Sequence, residues 1–92
     1  MPKHFEELWQ DAENASVKNS LTKEELFMKL DESLKDYAKL DNVPSKDIRN
    51  ILQTKKLGEI LYGLAELSRI DNVNTYAALQ LEVQVAEKLS QR

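Results

Sequence analysis

Three carboxylates, Asp31, Glu32 and Asp36, stand close together in the chain, and a fourth, Glu59, follows between Gly58 and Ile60. Carboxylates hold a divalent cation such as Mg²⁺ when several of their oxygens converge and few cations compete. Asp31, Glu32 and Glu59 are the candidate metal ligands on that ground. A plainer reading fits the same residues. Lys35 lies within one helical turn of Asp31, Glu32 and Asp36, and a helix carrying all of them has an ordinary solvated face. Glu59 follows Lys55 and Lys56 at the spacing of helical ion pairs. No residue is assigned a catalytic role.

Other chemistry is excluded by residue type. The chain has no cysteine and a single histidine, His4. A thiol nucleophile, a zinc-thiolate site and a His-pair zinc site are therefore out, and a Ser-His-Asp arrangement is implausible. No Gly-rich phosphate loop is present. Trp9 is surrounded by Glu6, Glu7, Asp11 and Glu13, so it reads as a core or interface anchor rather than a base-stacking platform. Gly58 and Gly63 lie in a strongly helical stretch, where each costs roughly 1 kcal/mol relative to alanine. Close helix packing is one reason to keep them. Room for a ligand is the other.

The elements that must position these residues are helical. Glycine and proline number two each, and helix formers dominate. The pattern predicts an all-α fold, a small bundle of four to five helices forming one domain over residues 1–92. A first helix covers 3–15, with Phe5, Leu8, Trp9 and Ala12 at helical spacing. A polar connection follows at 16–21. Thr22 and Glu25 have capping-box spacing and open a helix reaching about Leu40, striped by Leu26, Phe27, Leu30, Leu34 and Tyr37. Asp41-Asn42-Val43-Pro44 ends it, and Ser45 caps the next.

That next helix carries two stripes out of phase: Ile48, Ile51 and Leu52, then Leu57, Ile60, Leu61, Leu64 and Leu67. Either it breaks near Gln53–Lys56, or one long helix is buried on two sides, as in an oligomer or a wrapped central helix. Asn74 caps a last helix over about 75–89. Its Leu79, Leu81, Val83 and Val85 alternate like a strand, but no other segment offers a strand partner, so helix is the reading. Its apolar residues cover about half the circumference, which implies burial against more than one neighbour.

Size and charge narrow the partners. A domain of 92 residues buries only about 60–65% of its unfolded surface. Self-association would complete so thin a core, so a homo-oligomer is expected. The net charge is -3, with 41% hydrophobic and 32% charged residues. Lys55-Lys56 is the densest basic cluster, too short for a nucleic-acid partner. No apolar run approaches the length of a membrane span, and the N-terminus is too acidic for a signal peptide. The lack of cysteine fits a cytoplasmic location.

The segment from Leu57 to Leu79, LGEILYGLAELSRIDNVNTYAAL, resembles the second half of the MazG-type all-α nucleoside triphosphate pyrophosphohydrolases. Gly58, Glu59, Ile60, Leu61 and Tyr62 fit the register of the family's ExxD helix. Leu64, Leu67 and Arg69 continue it, and Val73, Asn74, Ala78 and Leu79 follow at the family's distance. Asp31-Glu32-Ser33-Leu34-Lys35 matches the preceding EExxE motif best. The resemblance implies that these acidic positions held Mg²⁺ on a nucleotide triphosphate. Two of them depart from the motif. Lys35 stands at the third acidic position of EExxE, and Lys56 at the Glu of ExxD. The resemblance therefore implies a MazG-like oligomer in which Lys35 and Lys56 form ion pairs where metal ligands stood, with hydrolysis lost or weakened. Binding a nucleotide or serving as an assembly unit remains open to it. The competing readings are an unrelated helical protein–protein interaction module, and an active Mg²⁺-dependent hydrolase using Asp36 and Glu66.

Overall fold

The computed structural model describes residues 3–19 and 21–90. Four α-helices run through them: α1 over Phe5–Ser16, α2 over Lys23–Lys39, α3 over Lys46–Asp71 and α4 over Thr75–Ser90. A single 3₁₀ turn, Leu40–Asn42, follows α2 directly. No strand occurs among the described residues, so the alternating residues 79–85 lie in helix. No described helix is long and apolar enough to cross a membrane.

Local chemistry accounts for the helix ends. Glu6 and Glu7 sit in the first turn of α1, where carboxylates favour the positive end of the helix dipole. At α2 the capping box forms in full. The Glu25 N–H donates to Thr22 Oγ1 at 3.1 Å, and the Thr22 N–H donates back to Glu25 Oε1 at 3.3 Å. Ser45 Oγ accepts from the Ile48 N–H at the start of α3. Asn72 closes α3 in the left-handed region (φ 53°), which asparagine tolerates better than most residues. That turn lets the Val73 N–H reach the Ser68 carbonyl at 2.9 Å. Asn74 Oδ1 then accepts from the Ala77 N–H at 3.0 Å and starts α4.

Helix α3 is continuous from Lys46 to Asp71, which decides between the two readings of its stripes. The change of phase marks a change of neighbours rather than a break. Both α1 and α2 pack against α3, and the second half of α3 lies between them. Ile60, Gly63, Ala65, Glu66 and Ser68 are buried there, with Leu26 of α2. Gly63 is what allows the close approach of α2. A Cβ on it would stand 2.6 Å from Leu30 Cδ2 and 3.3 Å from Leu30 Cγ. Gly58 has no such role, because a Cβ there would meet nothing within 4 Å. The close-packing explanation therefore holds for one glycine and fails for the other.

The first half of α3 meets the 3₁₀ turn and the end of α2 but keeps an uncovered face, with Ile51 68% exposed. Flanking by helices on two sides is confined to the second half of α3, between α1 and α2. The expected burial of α4 against more than one neighbour fails: none of its residues is buried. The Asn72–Asn74 turn leads α4 off the three-helix core instead of back onto it.

Candidate functional site

The last turns of α2 and the middle of α3 carry the carboxylates and lysines that the sequence singles out. Their registers are tied at several points. Lys23 at the start of α2 pairs with Asp71 at the end of α3 at 2.8 Å. Leu30 meets Gly63. Further along α2, Asp36 Oδ2 comes within 4.0 Å of Lys56 Nζ.

Lys56 is the centre of this cluster. Its ammonium donates to Glu59 Oε2 at 2.9 Å, one helical turn along the same helix. The hydrogen bond with Glu59 is the main reason its pKa is raised, helped by the charges of Glu59, Asp36 and Glu32 and opposed by desolvation. Glu59 responds in the opposite sense. The hydrogen bond from Lys56 holds its carboxyl below the ordinary range against the opposing effect of desolvation, with further help from the charges of Lys56, Lys55 and Lys29. Glu59 is thus attended by three cations, and Lys56 by carboxylates from both helices.

Asp31 belongs to a different contact. It accepts from Lys35 at 2.9 Å, an i,i+4 pair on an exposed face, and this hydrogen bond raises the Lys35 pKa. Asp31, Glu32 and Glu59 are therefore not gathered around one point. Among the described residues, no three histidine, aspartate or glutamate side chains are grouped to hold a metal ion. The donor set around Lys56 does not fit Mg²⁺ either. An ammonium occupies the space between Glu59 and Asp36, and a second positive charge there would meet it at contact distance.

The remaining candidates are scattered. Glu66 is 1% exposed and lies in the core, with neither carboxyl oxygen hydrogen-bonded among the described residues. It stands ten residues beyond Lys56 on α3, roughly 15 Å along the axis. Asp36 and Glu66 consequently belong to different parts of the molecule. His4 is exposed ahead of α1. Trp9 is half-buried against Phe5, its ring centroid 5.8 Å away, and its Nε1 has no partner among the described residues. With Phe5, Leu8, Leu61 and Tyr62, Trp9 and Gly58 line an open apolar hollow of about 380 Å³ between α1 and α3.

One polar network was not legible in the sequence. Arg69 Nε donates to Ser16 Oγ at 2.7 Å, and Ser16 Oγ donates to the Glu13 carbonyl at the same distance. The Ser68 hydroxyl lies 2.7 Å from Glu13 Oε1 and 2.8 Å from the Ala65 carbonyl. These contacts join the end of α1 to the end of α3. Serine and glutamate at solvated helix ends look alike in a sequence whether or not a second helix arrives. The signal for Glu66 was available: it interrupts the apolar run Leu64-Ala65-Glu66-Leu67.

No protein-family model, no curated protein and no solved structure matches the chain.

Proposed function

We propose that the chain is a MazG-like helical scaffold whose ion-holding centre has been taken over by lysine, and that it serves as an oligomeric assembly unit rather than a Mg²⁺-dependent hydrolase. One observation carries this reading: the Lys56 ammonium sits on Glu59 and beside Asp36, between the two motif-like segments. The contacts Lys23–Asp71, Leu30–Gly63 and Asp36–Lys56 support an antiparallel α2–α3 pair, the arrangement in which those segments meet. An ammonium at that point supplies the positive charge that the carboxylates would otherwise take from an ion. A nucleotide could then bind only through contacts other than a bridging metal. Cytoplasmic residence fits the cysteine-free composition.

Titration with Mg²⁺ and a panel of nucleoside triphosphates, monitored for pyrophosphate and by calorimetry, tests the reading. The native chain is expected to show neither pyrophosphate release nor saturable Mg²⁺ binding. The double variant Lys35→Glu, Lys56→Glu is expected to gain Mg²⁺ binding. Turnover by the native chain that Glu59→Gln abolishes would overturn the proposal.

A second reading, an unrelated protein–protein interaction module, is favoured by α4, whose apolar residues cover nothing within the chain. Failure of the lysine-to-glutamate variant to gain Mg²⁺ binding, with the fold intact, would move the balance to it.

A further inference from the structure

The exposed surface is too large for a chain that stays alone. A folded monomer of 10.6 kDa exposes ~5,500 Å². This chain exposes 7562 Å². Its radius of gyration is 15.6 Å, against the ~12 Å expected of a domain this long. The surplus is ~2,000 Å² per copy, hence about 4,000 Å² for two copies. That falls within the roughly 2,000–5,000 Å² that obligate homodimers bury.

Phe5 of α1 and Met28 of α2 are exposed too, but two places present apolar faces with no helix of the chain against them. One is α4, where Leu79 is 64% and Leu89 62% exposed. Tyr76, Leu79 and Val83 form a stripe along it at helical spacing, and they line a shallow hollow together with Gln80 and Gln84. The other is the first half of α3, where Ile48 and Ile51 are more than half exposed. Ile51 and Arg69 are about five whole turns apart and so lie on one side of α3. Arg69 contacts Ser16 of α1, so this is the side that α1 covers further along. The start of α1 lies beside Gly58, Leu61 and Tyr62 of α3, and Ile51 stands about two turns before them, 68% exposed.

The lengths and charges agree. Helix α4 has 16 residues, about 24 Å, which is enough to span the uncovered start of α3. Along that start, Lys46, Arg49 and Lys55 stand against one carboxylate, Asp47. On α4, Glu82 and Glu87 stand against one cation, Lys88.

We propose that two copies of this chain exchange α4, each laying its Tyr76–Leu79–Val83 stripe on the Ile48–Ile51 surface of the other. The pairing is isologous, since each copy contributes both surfaces. It rests on the assembly role proposed above and names the surface that performs it.

Light scattering on the full chain after size exclusion tests the exchange. The native chain runs at twice its monomer mass. Leu79→Asp with Val83→Asp halves that mass, and so does Ile51→Asp. Circular dichroism shows whether these variants keep their helices. If they do not, single cysteines decide, because the native chain has none. An Ile51→Cys copy mixed with a differently tagged Val83→Cys copy yields a disulfide-linked heterodimer under mild oxidation. A native chain that stays monomeric at high concentration overturns the proposal and leaves α4 to a different protein. A dimer unaffected by folded Ile51→Asp and lacking the mixed disulfide overturns it in favour of another face. A monomeric native chain overturns the assembly role as well, a dimer through another face overturns the α4 exchange alone, and the lysine-occupied centre is tested apart from both by Mg²⁺ binding of the lysine-to-glutamate variant.

Discussion

Replacing each of the two glycines of α3 by alanine should move stability in opposite directions. Both lie inside the helix, where alanine is favoured over glycine by roughly 0.5–1 kcal/mol through lost backbone freedom in the unfolded chain. At Gly58 nothing opposes that gain, because the added methyl group meets no atom within 4 Å. Gly58→Ala is therefore expected to stabilise by about the full amount. For a domain of this size, 1 kcal/mol corresponds to about 4–8 °C in Tm. At Gly63 the methyl would lie 2.6 Å from Leu30 Cδ2. Carbon contacts prefer about 3.5–4.0 Å, so the partner must retreat by roughly 1 Å. Overpacking of this kind costs about 1–3 kcal/mol. Leu30 is only half-buried and its methyl group can turn aside, which places the cost low in that range. Set against the gain of roughly 0.5–1 kcal/mol, the net expectation for Gly63→Ala is a small loss, at most about 0.5 kcal/mol. Thermal and urea unfolding at one protein concentration measure both. Equal stabilisation by the two substitutions would refute the claim that Gly63 exists to admit α2. A loss at Gly58 would show that its open side is covered in the assembled protein.

Glu66→Met should raise the urea midpoint by an amount equivalent to about 1–3 kcal/mol, because it removes a buried carboxyl group with no hydrogen-bond partner among the described residues. Destabilisation instead would reveal a partner for that carboxyl. The Lys56–Glu59 pair should act over a defined pH window. Glu59 has a lowered pKa, so its contribution is present above the ordinary value of ~4.3 and fades as pH falls through the lower folded value. Lys56 has a raised pKa, so its contribution is present below ~10.4 and fades as pH rises through the higher folded value. The stability difference between the native chain and Glu59→Gln should accordingly close in acid and in strong base, and a difference that stays constant from acid to neutral pH would contradict the pairing. Thr22→Ala should cost about 1 kcal/mol, since it removes the acceptor of the Glu25 amide at the start of α2. An unchanged unfolding midpoint would mean that this helix end does not limit stability.

The caps were the most legible part of the molecule. Thr22, Ser45 and Asn74 each accept the amide three residues on, as their spacing implied. Such contacts lie within a single turn and depend on nothing distant. The site was legible in part. The Lys56–Glu59 and Lys35–Asp31 pairs are local, and their helical spacing anticipates them. That Asp36 arrives beside Lys56 depends on how α2 lies on α3, which a resemblance could suggest and spacing alone could not. The bridge from Ser16 to Arg69 was illegible for the same reason, since it requires a helix from elsewhere in the chain, whereas Glu66 was marked by its place inside an apolar run.

Helix type, ends and register follow from this sequence by itself, because caps, prolines and periodic apolar residues act over a few residues. Which apolar stripe becomes core was decided by tertiary structure. The stripes of α3 were equally good candidates from their composition, yet of their residues only Ile60, in the part flanked by α1 and α2, is buried, while Leu57, Leu61 and Leu64 stay exposed. Burial is a property of the space between elements, and a linear pattern says where a face points without saying what meets it.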